Sequence, residues 1–196
     1  MHRATKSGLG AEAHAKIVAK YDPNQASECL TWVQTILANN DPPINFDTNG
    51  DRQNFNAVLE DGYVLANLIN ALEPDSIPSG KLKTRPKMQF KKMELIDLFL
   101  VKMKSYGVPD HERFATIDLT ESQDLNQVVI CLQALARKAR TKGHVGFGPK
   151  ESEANIRNFT EDQLKAGQNV ISLQYGSNAG ASQAGMNFGK TRMILD

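Results

Sequence analysis

Reactive chemistry is sparse in this chain of 196 residues. There are two cysteines, Cys29 and Cys131, too few for a disulfide framework. Both fall on apolar helical faces, where buried free thiols are expected rather than a disulfide or a metal site. The four histidines, His2, His14, His111 and His144, are scattered without metal-ligand spacing to cysteines or acids. No nucleophile-elbow pattern is present. Net charge is only +1, so no global field draws the chain to nucleic acid. No apolar run reaches membrane-spanning length and no apolar signal core opens the chain, so a cytoplasmic protein without membrane insertion is expected. Asp47, Asn49 and Asp51 invite an EF-hand reading, but Arg52 and Val58 stand where the loop needs glycine and glutamate. Gly189-Lys190-Thr191 echoes the end of a phosphate-binding loop, yet Ala184 occupies the position of its first glycine. No enzyme, metal or cofactor reading therefore gains support.

What is present is helical periodicity. Asp22, Pro23 and Gln25 read as an N-cap, a proline at N1 and a capping-box partner. The helix they open carries Cys29, Trp32, Val33, Ile36 and Leu37 on one stripe, with the single tryptophan as a core anchor. A weak helix from Gly10 to Lys20 precedes it, and Phe55 to Leu59 forms a short helical turn. Asp61 is positioned to cap a second main helix bearing Val64, Leu65, Leu68, Ile69 and Leu72. A third runs from Met88 to Tyr106. Its stripe of Phe90, Met93, Ile96, Leu100 and Met103, widened by Leu95 and Phe99, predicts a central, mostly buried helix. Gly107 and Pro109 stop it. Thr120 and Gln123 read as a capping box for the fourth, which carries Leu125, Val128, Val129, Leu132 and Leu135. A last short helix, capped by Thr160 with Gln163, follows.

Two basic segments stand out. From Lys81 to Lys92 come Lys81, Lys83, Arg85, Lys87, Lys91 and Lys92 with no acid; such runs are usually solvated, the alternative being contact with an anionic surface. Arg137, Lys138, Arg140 and Lys142 close the fourth helix, where they suit its C-terminus and are a candidate secondary basic contact.

The end of the chain is of another kind. Gly176, Gly180, Gly185 and Gly189 recur through Ile171–Ile194, too often for a stable helix. Few large apolar anchors lie between them, so a docking segment, disordered alone and ordered on a partner, is expected. The run GASQAGM, Gly180 to Met186, with SLQYGSN before it, Ser172 to Asn178, closely resembles the calponin-like repeat of the transgelin and calponin family. Ala179 stands where vertebrate members usually carry Lys or Arg. Residues 24–140 resemble a single calponin-homology domain through Trp32, Asp61-Gly62, FKKME (Phe90 to Glu94), YGVPD (Tyr106 to Asp110) and LNQVVICLQALAR (Leu125 to Arg137).

The expected organisation is all-α. Residues 1–23 form an extension with a short helix, and 24–140 a calponin-homology domain of four main helices plus short ones. Residues 141–169 form a linker, and 170–195 a calponin-like repeat in a largely disordered tail. A single repeat looks like transgelin or the invertebrate muscle proteins of that group. The resemblance implies an actin-filament-binding protein that stabilises or bundles filaments. The contact residues it implies are Tyr175, Gly180, Ser182, Gln183, Met186, Phe188, Lys190 and Arg192, with Ser182 a candidate phosphorylation site. Where the vertebrate relatives have a strongly basic run before the equivalent of Phe159, this chain reads KESEANIR, Lys150 to Arg157, so no actin contact is carried over there. The alternative is a signalling adaptor whose helical domain binds kinases or other regulators.

Overall fold

The computed structural model describes residues 7–40, 43–149, 151 and 156–169. These residues contain helices and turns and no strand. In chain order the helices are α1 (Leu9–Ala19), α2 (Pro23–Leu37), α3 (Arg52–Leu59), α4 (Tyr63–Leu72), α5 (Ser79–Leu82), α6 (Gln89–Tyr106), α7 (Thr116–Thr120), α8 (Leu125–Thr141) and α9 (Glu161–Asn169). A 3-10 turn, Asp110–Glu112, sits between α6 and α7. The chain divides into two compact units, the first ending at Ser152. Only α9 and its approach are described in the second.

Three of the four main helices begin on a short polar side chain. Asp22 Oδ1 accepts from the Asn24 N–H at 2.9 Å, with Pro23 in the first helical position. The capping box expected with Gln25 is not made there, because Gln25 Oε1 instead accepts from Gln133 of α8 at 3.0 Å. Asp61 does serve α4, accepting from the Tyr63 N–H at 2.9 Å. The Thr120–Gln123 box expected for α8 is replaced. Thr120 is the last residue of α7 and donates to its own Thr116 carbonyl, while Asp124 caps α8 by accepting from the Gln127 N–H at 3.0 Å. Both residues offer a side-chain oxygen, and the winner is the one adjacent to the apolar run that packs. In the second unit the Thr160–Gln163 box forms reciprocally.

The core lies among α2, α4, α6 and α8. α4 packs most extensively on α6, and α2 contacts both α4 and α8. α4 is the central helix, with Val64, Leu65, Ala66, Asn67, Leu68, Ile69 and Leu72 all buried in its three turns. That corrects the expectation for α6. Leu95, Ile96, Phe99, Met103 and Tyr106 are buried, but Phe90 is 76% exposed and Met93 also faces outward. At 100° per residue Phe90 lies opposite Phe99 and Met93 about 120° from it, and the aliphatic core reaches only one side of this helix. The α8 stripe packs as its periodicity predicts: Leu125, Val128, Val129, Leu132 and Leu135 are buried, joined by Cys131 and three alanines. Trp32 is 5% exposed and belongs to this core.

The chain does not leave the first unit at Thr141. The Gly143 N–H reaches the Arg140 carbonyl at 3.2 Å and the His144 N–H the Ala139 carbonyl at 2.9 Å. This paired closure needs a left-handed residue after the cap, and Gly143, at φ 90°, supplies it. The turn sends residues 143–149, part of the expected linker, back along α8. There the Trp32 indole N–H donates to the Val145 carbonyl at 2.8 Å, and the Phe147 ring meets the indole edge-on at 5.9 Å. A side chain at Gly146 would place its Cβ 2.2 Å from the Ala136 carbonyl, so the segment lies directly on the helix backbone.

Candidate functional site

Each charged surface picked out by the sequence has its own accounting once the helices are packed. At the C-terminal end of α8 all four cations are engaged. Arg137 pairs with Glu112 at 2.6 Å, both groups about three-quarters buried. Lys138 pairs with Glu151. Arg140 Nη1 donates to the Gly148 carbonyl at 2.7 Å. Lys142 Nζ stands 3.5 Å above the Tyr106 ring. That ring lies within the fold, and burial pushes its phenol up to about 12. So the candidate secondary contact, Arg137, Lys138, Arg140 and Lys142, is brought together in one place, with two of its charges paired to carboxylates and the other two held on neutral groups.

The run from Lys81 to Lys92 is half neutralised. Lys81 pairs with Glu94, Lys92 with Glu60 at 2.7 Å, and Arg85 with Asp61 at 2.9 Å while lying over the Tyr63 ring. Glu60, Asp61 and Glu94 lie outside the run itself, so the absence of acid within it said nothing of acids folded against it. Lys83, Lys87 and Lys91 have no ion pair among the described residues. Lys87 and Lys91 line a concavity of about 680 Å³ between α5 and the start of α6, together with Met88 and Leu95. The run is thus tied to its own domain through three of its six cations.

Asp47, Asn49 and Asp51 build a loop rather than an ion site. Asp47 Oδ1 accepts from the Asn49 N–H at 3.0 Å, Asn49 Oδ1 from the Asp51 N–H at 3.1 Å, and Asn54 donates to two carbonyls of the same loop. Among the described residues no group of three His, Cys, Asp or Glu could hold a metal. Cys29 and Cys131 are buried free thiols, and burial pushes both up to about 12. No described helix is long and apolar enough to cross a membrane.

The tail candidates Tyr175, Gly180, Ser182, Gln183, Met186, Phe188, Lys190 and Arg192 lie outside the described residues. Gly143, Val145, Gly146 and Phe147 carry no recognised motif, although the segment they form lies at the basic end of α8. The available signal was a phenylalanine and a valine set between glycines just after the last main helix, in a stretch otherwise read as connection.

The core of four main helices is that of a known class: residues 23–141 match the calponin homology (CH) domain, and residues 171–194 match the calponin family repeat. The chain is 42% identical to myophilin of Echinococcus granulosus over 193 residues, covering 97% of this chain and 96% of that protein. It is 42% identical to muscle-specific protein 20 of Drosophila melanogaster, covering 92% of this chain and 94% of that one. Among solved structures, the calponin-homology domain of Rng2 from Schizosaccharomyces pombe matches with a TM-score of 0.54 at 24% identity, over 80% of this chain and 95% of that one, a likeness of fold. The chain belongs to the transgelin/calponin family.

Proposed function

We propose that this protein is a non-enzymatic, actin-filament-binding component of the cytoplasmic cytoskeleton, which stabilises or bundles filaments in muscle or motile cells. The observation that carries the reading is the calponin family repeat at 171–194 following a calponin homology domain in one chain. The tail is the principal contact. Tyr175, Met186 and Phe188 supply apolar area, Lys190 and Arg192 meet acidic residues of the filament, and Gly180, Ser182 and Gln183 form the close backbone contact. Support for placing the contact there comes from the domain, because Arg137 and Lys138 of α8 are paired with carboxylates and the Lys81–Lys92 run is half neutralised. A single repeat gains nothing from linked copies, so affinity is modest and salt-sensitive. Co-sedimentation with actin filaments at increasing salt tests this. Changing both Lys190 and Arg192 to Gln is expected to lower the bound fraction and flatten its salt dependence. Equal pelleting of variant and wild type would remove the tail from the interface.

A second reading, an adaptor for kinases or other regulators, draws on the outward face of α6. There Phe90, Met93, Leu98 and Val101 line a groove with Glu94 and Asp97.

A further inference from the structure

Two of the four engagements at the basic end of α8 are made by residues that follow the helix: the Gly148 carbonyl on Arg140 and the Glu151 carboxylate on Lys138. Residues 143–149 have no regular structure of their own. Two glycines of this segment lie in the left-handed region, Gly143 at φ 90° and Gly148 at φ 81°. Between them its side-chain anchorage on the core is small. Phe147 touches Trp32, while Val145 turns its side chain to solvent at 63% exposure and offers only its carbonyl to the indole. A short segment with few apolar contacts between two glycine turns opens far more readily than the helices beneath it.

We propose that residues 143–149, with Glu151 beyond them, form a clasp that regulates the basic end of α8. Closed, it holds Arg140 and Lys138 to itself. Open, it presents both cations to an acidic surface, and binding of that surface in turn favours the open state. The inference rests on the filament reading for its natural partner, but the clasp itself is tested without actin.

Trp32 is the only tryptophan in the chain, so its emission reports the clasp directly in the full-length protein. Gly146→Val drives a side chain into the Ala136 carbonyl, and Phe147→Ala removes the ring contact without a clash. Both variants are expected to shift Trp32 emission to the red with unchanged far-ultraviolet helicity. Both are expected to bind poly-L-glutamate about fivefold more tightly at low salt, the scale of one exposed ion pair. Changing Lys138 and Arg140 to Gln in either background abolishes the gain. Glu151→Gln reproduces part of it, whereas the same charge change at Glu161→Gln in α9 does not. If Gly146→Val loses helicity, Phe147→Ala decides the matter. A red shift without tighter binding, an unshifted spectrum in Phe147→Ala, or a gain that survives loss of Lys138 and Arg140 overturns the clasp. Failure of the wild type to pellet with actin overturns the filament reading and leaves the poly-L-glutamate result standing by itself.

Discussion

Trp32 joins the core of the helical unit to the segment that covers α8, through its ring on one side and its indole N–H on the other. Trp32→Ala is expected to cost about 3–5 kcal/mol, as for other buried aromatic truncations, and Trp32→Phe much less, the loss of one hydrogen bond at about 1 kcal/mol. Thermal unfolding of the two variants checks both values, and an unchanged midpoint for Trp32→Ala would place the ring outside the core. The thiols make a pH prediction. Burial raises Cys29 and Cys131 from an ordinary 9.0 to about 12, so the folded state favours their neutral forms. Stability from this source is complete below pH 9 and is lost as pH rises from there through about 12. At pH 8 iodoacetamide should leave both thiols unmodified until denaturant is added; rapid labelling of the native protein would contradict their burial. In the tail, Ser182→Glu is expected to weaken actin pelleting, because a negative charge there opposes an acidic filament. Equal pelleting would take Ser182 out of the contact.

For single elements the informative cases are the helix starts. Asp124→Ala should cost about 1 kcal/mol by removing the cap of α8, whereas Thr120→Ala, at the end of α7, should cost only a few tenths. Urea unfolding of the pair distinguishes them, and the reverse order would return the cap to Thr120. Both positions read as caps in the sequence because Ser, Thr, Asp and Asn share the same donor-accepting chemistry. Which one is used depended on where α7 ended, and a five-residue helix leaves almost no periodic signal. α6 shows the opposite limit. Its apolar residues are evident in the sequence, yet apolarity alone does not say which are buried. Phe90 overhangs the first turn while Phe99, nine residues on, is fully buried. Only the position of α4 decides which side of α6 is the inside.

At the scale of the whole molecule, a chain ending at Gly167 is expected to keep its fold and lose most actin binding. Among the described residues every buried apolar residue lies at or before Ala139, and the tail carries few large apolar groups, so the core is expected not to need it. Circular dichroism with co-sedimentation reads both outcomes, and full actin affinity in the shortened chain would move the filament contact onto the helical domain. By itself the sequence determined the all-α class, the core stripes of α2, α4 and α8, and the family, because helical periodicity and local motifs are written in residues a few positions apart. Tertiary structure alone decided the fate of the charges. Glu112 lies 25 positions from Arg137 and Glu60 lies 32 from Lys92, and such pairings exist only once helices distant in sequence are packed together. It also decided that residues 143–149 return to α8, since a glycine turn fixes a change of direction but the Trp32 indole that receives the chain comes from α2, more than a hundred residues earlier.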